Sequence, residues 1–212
     1  MKRNLTEIIF IIDRSGSMYG LSDDTIGGFN GFLEKQKEVE GDAILTVVLF
    51  NDTHMKLYDR TDLREVVPMT REQYAVGGGT ALLDALGDTI TETQKRHDKM
   101  PLDERPEHIL CVITTDGYEN SSTKYKKSQV REMIDHQREG HGWEFIFLGA
   151  NMDAVKEAQS YGITNSATYI ADSIGTKTVY DAVNIATSSL RACGTIDSAW
   201  DSEIEEYTKA NQ

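Results

Sequence analysis

The architecture follows from residues 8–18, Ile8-Ile9-Phe10-Ile11-Ile12-Asp13-Arg14-Ser15-Gly16-Ser17-Met18. Continuous apolar residues, mostly β-branched, predict a central strand of a parallel sheet that is covered on both faces. Asp13, Ser15 and Ser17 alternate directly after the apolar run, so their side chains point the same way in extended backbone. Gly16 permits the chain to turn there. The stretch therefore predicts a buried strand with oxygen ligands at its carboxyl end, where parallel sheets carry their functional sites.

Two further segments offer the same chemistry. Residues 77–80, Gly-Gly-Gly-Thr, precede an apolar-periodic segment at residues 81–90, for which Thr80 is the predicted N-cap. Residues 108–117 form a second apolar run, which ends in Asp116 and a glycine. Carboxylate and hydroxyl oxygens are hard ligands that favour magnesium, manganese or calcium over zinc or copper. The three segments together predict a metal site.

Each of these residues also has a local explanation. Asp13 and Ser15 suit the cap of the following helix, Thr80 suits the cap of its own helix, and Asp116 with Gly117 suits an ordinary turn. Capping does not require three separate strand or loop ends to carry complementary oxygen ligands. The joint pattern therefore favours the metal site.

Residues 5–192 resemble the von Willebrand factor type A family in the order and spacing of these motifs. The family's metal-ion-dependent adhesion site has the pattern Asp-x-Ser-x-Ser, then a threonine, then an aspartate, and every position is filled here: Asp13, Ser15, Ser17, Thr80 and Asp116. The resemblance implies a three-layer α/β/α Rossmann-like fold, with a mostly parallel central sheet and one antiparallel edge strand.

The resemblance also implies roles for these residues. Ser15 and Ser17 are expected to bind Mg²⁺ directly, with Mn²⁺ or Ca²⁺ as alternatives, and Thr80 joins them in the ligand-occupied state. Asp13 and Asp116 are expected to orient waters and hydroxyls. The remaining coordination position then takes an Asp or Glu carboxylate of a partner protein. The predicted partner-binding rim around the ion comprises Met18, Tyr19, Gly78, Gly79, Tyr118, Glu119 and Asn151.

Composition limits the class of protein. The chain has 212 residues, 39% hydrophobic residues and a formal net charge of -13, which suits one domain with a full core. The acidic balance argues against nucleic acid and anionic membrane surfaces as partners. Residues 1–4 lead directly into the first strand without a cleavable signal, and no long apolar run occurs. A cytoplasmic protein is therefore expected.

Strand and helix patterns alternate along the chain, as in α/β folds. Residues 54–58 suit an antiparallel edge strand that pairs with residues 43–50, and the polar residues 95–107 are interpreted as a loop. We expect a domain at residues 1–195 and an acidic tail at residues 196–212. In that tail, Trp200, Ile204 and Tyr207 have helical spacing. The stripe suits packing on the same domain, and the alternative is a detachable helix that docks a partner.

The leading functional hypothesis is a non-enzymatic, metal-dependent protein-binding module, an intracellular adaptor that forms part of a larger assembly. One alternative is a metal-dependent, phosphoesterase-like hydrolase. No histidine lies beside the oxygen ligands of the metal segments, and Glu119 is the one spare acid nearby. The other alternative is a structural subunit whose metal site is unused.

Overall fold

A computed structural model describes residues 1–211, so the predicted tail extends one residue, Gln212, beyond the described part of the chain. The strands are β1 Lys2–Asp13, β2 Asp42–Phe50, β3 His54–Asp62, β4 Pro106–Thr115, β5 Trp143–Ala150 and β6 Asn165–Tyr169. The α-helices are α1 Ser22–Lys37, α2 Leu82–Lys99, α3 Lys127–His141, α4 Ala154–Ser160, α5 Ser173–Cys193 and α6 Ser202–Ala210. A 3₁₀ helix, Gly16–Leu21, joins β1 to α1.

The strands form one sheet in the order β3-β2-β1-β4-β5-β6. β1 lies in its interior and pairs in parallel with β2 and β4, with Phe10 opposite both Val47 and Val112. Among the six strands of residues 1–211, only β3 is antiparallel, and it pairs with β2 at one edge. The predicted mostly parallel sheet with one antiparallel edge strand is confirmed.

Side chains of β1 alternate between two apolar cores, one on each face of the sheet. Ile8, Phe10 and Ile12 belong to the core that also contains residues of α1, α5 and α6. Ile9 and Ile11 belong to the core that contains residues of α2 and α3. Burial on both faces explains why β1 is apolar at successive positions instead of alternating with polar residues. These layers give the predicted α/β/α architecture.

Two predicted boundaries around α2 are wrong. The helix begins at Leu82, and its N-cap position is Ala81 instead of Thr80. The helix also continues to Lys99, through the first part of the segment at residues 95–107 that was interpreted as a loop. His97 is buried in this last turn, and its Nε2 lies 2.7 Å from the buried carboxylate Oε2 of Glu7. This polar contact anchors the end of the helix. The periodicity of apolar residues gives no indication of such a contact.

Residues of the acidic tail lie against the domain. Trp200 and Ile204 are buried in the core on the α1 and α5 side. The Tyr207 hydroxyl donates a hydrogen bond of 2.8 Å to Asp172, which is the N-cap residue of α5.

None of the helices in residues 1–211 combines the length and the hydropathy that a membrane span needs.

Gly28 on α1 allows close packing against α5. A Cβ atom at this position would lie 2.2 Å from Cδ2 of the buried Tyr180 ring. We expect Gly28→Ala to destabilise the fold by about 1–3 kcal/mol, the usual cost of overpacking a core. Chemical denaturation measures this change.

Gly27 is the matched control, because a Cβ atom there meets no atom within 4 Å. We expect Gly27→Ala to stabilise the same helix by about 0.5–1 kcal/mol, since alanine loses less backbone freedom than glycine. Equal effects of the two substitutions would contradict the assigned contact between Gly28 and Tyr180.

Candidate metal centre

The predicted ligand residues lie at the edge of the sheet where the parallel strands end. Asp13 is the last residue of β1, and Asp116 directly follows β4, which is the neighbouring strand. Thr115 joins the two strand ends, since its hydroxyl donates a hydrogen bond of 2.6 Å to Oδ2 of Asp13. Parallel strands deliver their last residues to one edge, so residues separated by a hundred positions become neighbours.

Hydrogen bonds connect the first motif to Asp116. The Ser15 amide donates to Oδ1 of Asp13 over 2.7 Å. The Ser15 and Ser17 hydroxyl oxygens are 3.2 Å apart, and the Ser17 hydroxyl donates to Oδ1 of Asp116 over 2.6 Å. The alternating serines thus face the same side, as the sequence pattern predicts.

Thr80 reaches the same place from the glycine loop. It is buried, and a Cβ atom on Gly117 would lie 3.7 Å from its Oγ1 and 3.9 Å from the Ser17 Oγ. The structure therefore brings Thr80, Ser17 and the segment that carries Asp116 together.

Burial dominates the electrostatics of the site. Asp13 has no exposed surface, and its burial raises the pKa of this carboxyl to about 6. Burial also raises the pKa of Asp116 above its usual range. No basic side chain contributes to either pKa shift within the described residues, whereas the negative charge of Asp116 adds to the shift of Asp13. Two carboxylates that form no ion pair with a basic side chain in the described part of the chain favour the binding of a cation.

The donor set fits a hard cation. Within residues 1–211, no group of three or more His, Cys, Asp or Glu side chains is placed to hold a metal ion. A cation at this edge would therefore depend on the hydroxyl oxygens of Ser15, Ser17 and Thr80 together with two carboxylates. Hydroxyl and carboxylate oxygens suit magnesium, manganese or calcium.

The predicted rim is only partly at the surface. Tyr19 and Tyr118 are 83% and 55% exposed, but Met18 is 1% exposed and belongs to the core. The 3₁₀ helix after Ser15 turns Met18 inward, so the structure does not bring it to the rim. Asn151 is exposed and has a left-handed backbone conformation, with φ of 51°. Its Oδ1 accepts a hydrogen bond from the Ala171 amide.

Glu119 is not a spare acid. Its carboxylate accepts hydrogen bonds from the amides of Leu83, Ser121 and Ser122 and from the Ser122 hydroxyl. The Leu83 amide belongs to the first turn of α2, so Glu119 caps that helix from a distant segment. These contacts give Glu119 a structural role, so it is no longer the uncommitted acid that the hydrolase alternative needs.

Three polar residues around the site escaped the sequence analysis. Thr115 hydrogen-bonds Asp13, while Asp52 and Asn120 accept hydrogen bonds from the amides of Gly79 and Thr80. Thr115 was signalled by its place at the end of β4, directly before Asp116. Asp52 and Asn120 lie in separate loops that carry no local signal for a contact with the glycine loop.

Comparisons with solved structures identify the fold as that of von Willebrand factor type A domains. No family model matches the sequence, and no curated protein matches it. One similar structure is a von Willebrand factor type A protein from Catenulispora acidiphila (14% identity, TM-score 0.55, covering 89% of this chain and 43% of that chain). Another is the von Willebrand factor domain of the type V pili tip protein from Porphyromonas gingivalis (11% identity, TM-score 0.58, covering 85% of this chain and 95% of that chain).

A third similar structure is proximal thread matrix protein 1 from the mussel byssus, determined with its metal-ion-dependent adhesion site occupied by zinc (15% identity, TM-score 0.59, covering 87% of this chain and 46% of that chain). The present chain spans less than half the length of the byssus protein and of the Catenulispora protein. These likenesses establish the fold.

Proposed function

We propose that this chain is a non-enzymatic protein-binding module of the von Willebrand factor type A family, in which a divalent cation bridges to a partner. Mg²⁺ is the proposed resident ion, held by Ser15, Ser17 and Thr80, with Asp13 and Asp116 orienting waters and hydroxyls. The observation that carries the proposal is the series of hydrogen bonds at one edge of the sheet, which runs from Asp13 through Ser15 and Ser17 to Asp116.

The chemistry of the ligands indicates the kind of partner. Ligands that are largely neutral hydroxyls leave much of the charge of a divalent cation uncompensated, so the ion binds a further anion. An Asp or Glu carboxylate presented by another protein supplies that anion, and the exposed Tyr19 and Tyr118 would contact its neighbours. A cytoplasmic location and a role as an adaptor in a larger assembly are part of this proposal.

Affinity capture from the native host lysate tests the proposed function. Wild type and Asp13→Asn are each used with Mg²⁺ and with chelator, and bound proteins are identified by mass spectrometry. We expect a partner that is captured only by wild type with Mg²⁺, and whose binding is lost when one of its acidic residues is replaced. Partners that are unaffected by the chelator and by the substitution would refute metal-dependent bridging.

A further inference from the structure

Asn120 contacts both backbone polar groups of Thr80. Its own amide donates a hydrogen bond of 3.0 Å to the Thr80 carbonyl, and its side-chain Oδ1 accepts a hydrogen bond of 2.9 Å from the Thr80 amide. The two bonds fix the backbone of Thr80 from one partner residue. Such a pair restricts the position of the Thr80 hydroxyl more than a side-chain contact alone.

Neighbouring groups orient the Asn120 amide and the glycine loop. The Ser121 hydroxyl donates to Oδ1 of Asn120 over 2.6 Å, and Oδ1 of Asp52 accepts from the Gly79 amide over 2.8 Å. These oxygens occupy the space beside Gly79, because a Cβ atom there would lie 2.1 Å from Ser121 Oγ and 2.9 Å from Asn120 Oδ1. The contact therefore requires a glycine at position 79.

We propose that Asn120 is a positioning residue of the metal centre, which fixes the position of Thr80 relative to Asp116. Asn120 follows Asp116 by four residues, so the segment that carries the carboxylate also fixes the distant hydroxyl. The hydrogen bonds are made entirely between groups of the protein, so the protein itself holds Thr80 in place. This inference rests on the proposed metal site and adds a residue that does not itself contact the ion.

Mn²⁺ titration of Asn120→Ala and Asn120→Asp tests the inference. We expect the alanine variant to bind Mn²⁺ about tenfold more weakly, as is usual when a group that orients a metal ligand is removed. Aspartate keeps an acceptor for the Thr80 amide and for the Ser121 hydroxyl. We therefore expect Asn120→Asp to bind within about threefold of wild type.

Hydrogen exchange of the Thr80 amide in metal-free protein gives a second readout. We expect faster exchange in Asn120→Ala than in wild type, and near wild-type exchange in Asn120→Asp, because only the alanine variant loses the acceptor. If Asn120→Ala does not fold, Ser121→Ala replaces it, with a smaller loss of Mn²⁺ affinity expected. Unchanged Mn²⁺ affinity in the alanine variant would overturn the inference, whatever the rate of exchange.

Two further variants separate this inference from the proposed function. Asn165→Ala is the matched control, because Asn165 begins the edge strand β6, two strands away from β4, and donates to Glu144 instead of to a group of the site. We expect wild-type Mn²⁺ affinity for it. Ser15→Ala removes a proposed direct ligand. Loss of affinity in Ser15→Ala but not in Asn120→Ala refutes only the role of Asn120, whereas wild-type affinity in both refutes the metal site itself.

Discussion

Asp13→Asn is expected to weaken Mg²⁺ binding roughly 100-fold, the upper end of the usual range for groups that orient metal ligands. The substitution keeps the shape of the side chain and an acceptor for the Ser15 amide. The Asn amide group can donate to Thr115 Oγ1, which can itself donate to the Gly117 carbonyl. Only the negative charge is therefore lost. Calorimetric titration with Mg²⁺ measures the change in affinity.

The same substitution is expected not to lower the stability of the metal-free protein. Burial raises the pKa of Asp13 from 3.8 to about 6, so its ionisation costs the folded state stability as the pH rises from about 4 to above 6. Asparagine removes that cost at pH 7. Thermal unfolding with chelator measures this effect, and a large decrease in stability would point to a structural role for Asp13 instead.

Asp153→Asn is the matched control for Asp13→Asn. Asp153 lies at the same edge of the sheet, but it is exposed and caps α4 by accepting a hydrogen bond from the Lys156 amide. We expect wild-type Mg²⁺ affinity in this variant. Equal losses of Mg²⁺ affinity in both variants would mean that the combined negative charge of the carboxylates at this edge of the sheet, and not the Asp13 site, attracts the cation.

Phe10→Ala is expected to destabilise the fold by about 3–5 kcal/mol, the range for truncating a fully buried aromatic side chain. Phe10 lies in the central strand and has no exposed surface. Its ring centroid is 4.9 Å from that of Phe32 and 5.5 Å from that of Phe29, both in edge-on geometry. Alanine would leave a cavity between the sheet and α1 that these rings can fill only in part.

Urea denaturation of Phe10→Ala measures this loss, provided that the dependence of the unfolding free energy on urea stays unchanged. Leu102→Ala is the control, because Leu102 is 68% exposed. We expect it to change stability by no more than about 0.5 kcal/mol. A loss below about 1 kcal/mol in Phe10→Ala would contradict the central position assigned to this ring.

The buried strands were predictable because their signal is local. An apolar run such as Ile8–Ile12 reports burial on both faces, and the alternation of Asp13, Ser15 and Ser17 reports a common direction of their side chains. Both signals are contained in a few consecutive residues. The sheet and the convergence of its strand ends could therefore be predicted from the sequence.

The remaining features depend on contacts between distant segments. Glu119 caps a helix whose first turn lies 36 positions earlier in the chain, and this contact explains why Thr80 is not needed as the N-cap. His97 extends α2 through a contact with Glu7, 90 positions away. Met18 lies in a core that also contains distant residues of α5 and α6. No short window of sequence contains these partners.

The central place of β1 has a consequence for synthesis of the chain on the ribosome. β1 is made well before β4, which spans Pro106–Thr115 and is one of its two partners. Until that segment emerges, the apolar strand at Ile8–Ile12 has one open backbone edge. Open apolar strand edges promote aggregation of nascent chains. The interval between synthesis of β1 and synthesis of β4 is therefore one in which the growing polypeptide needs protection against aggregation.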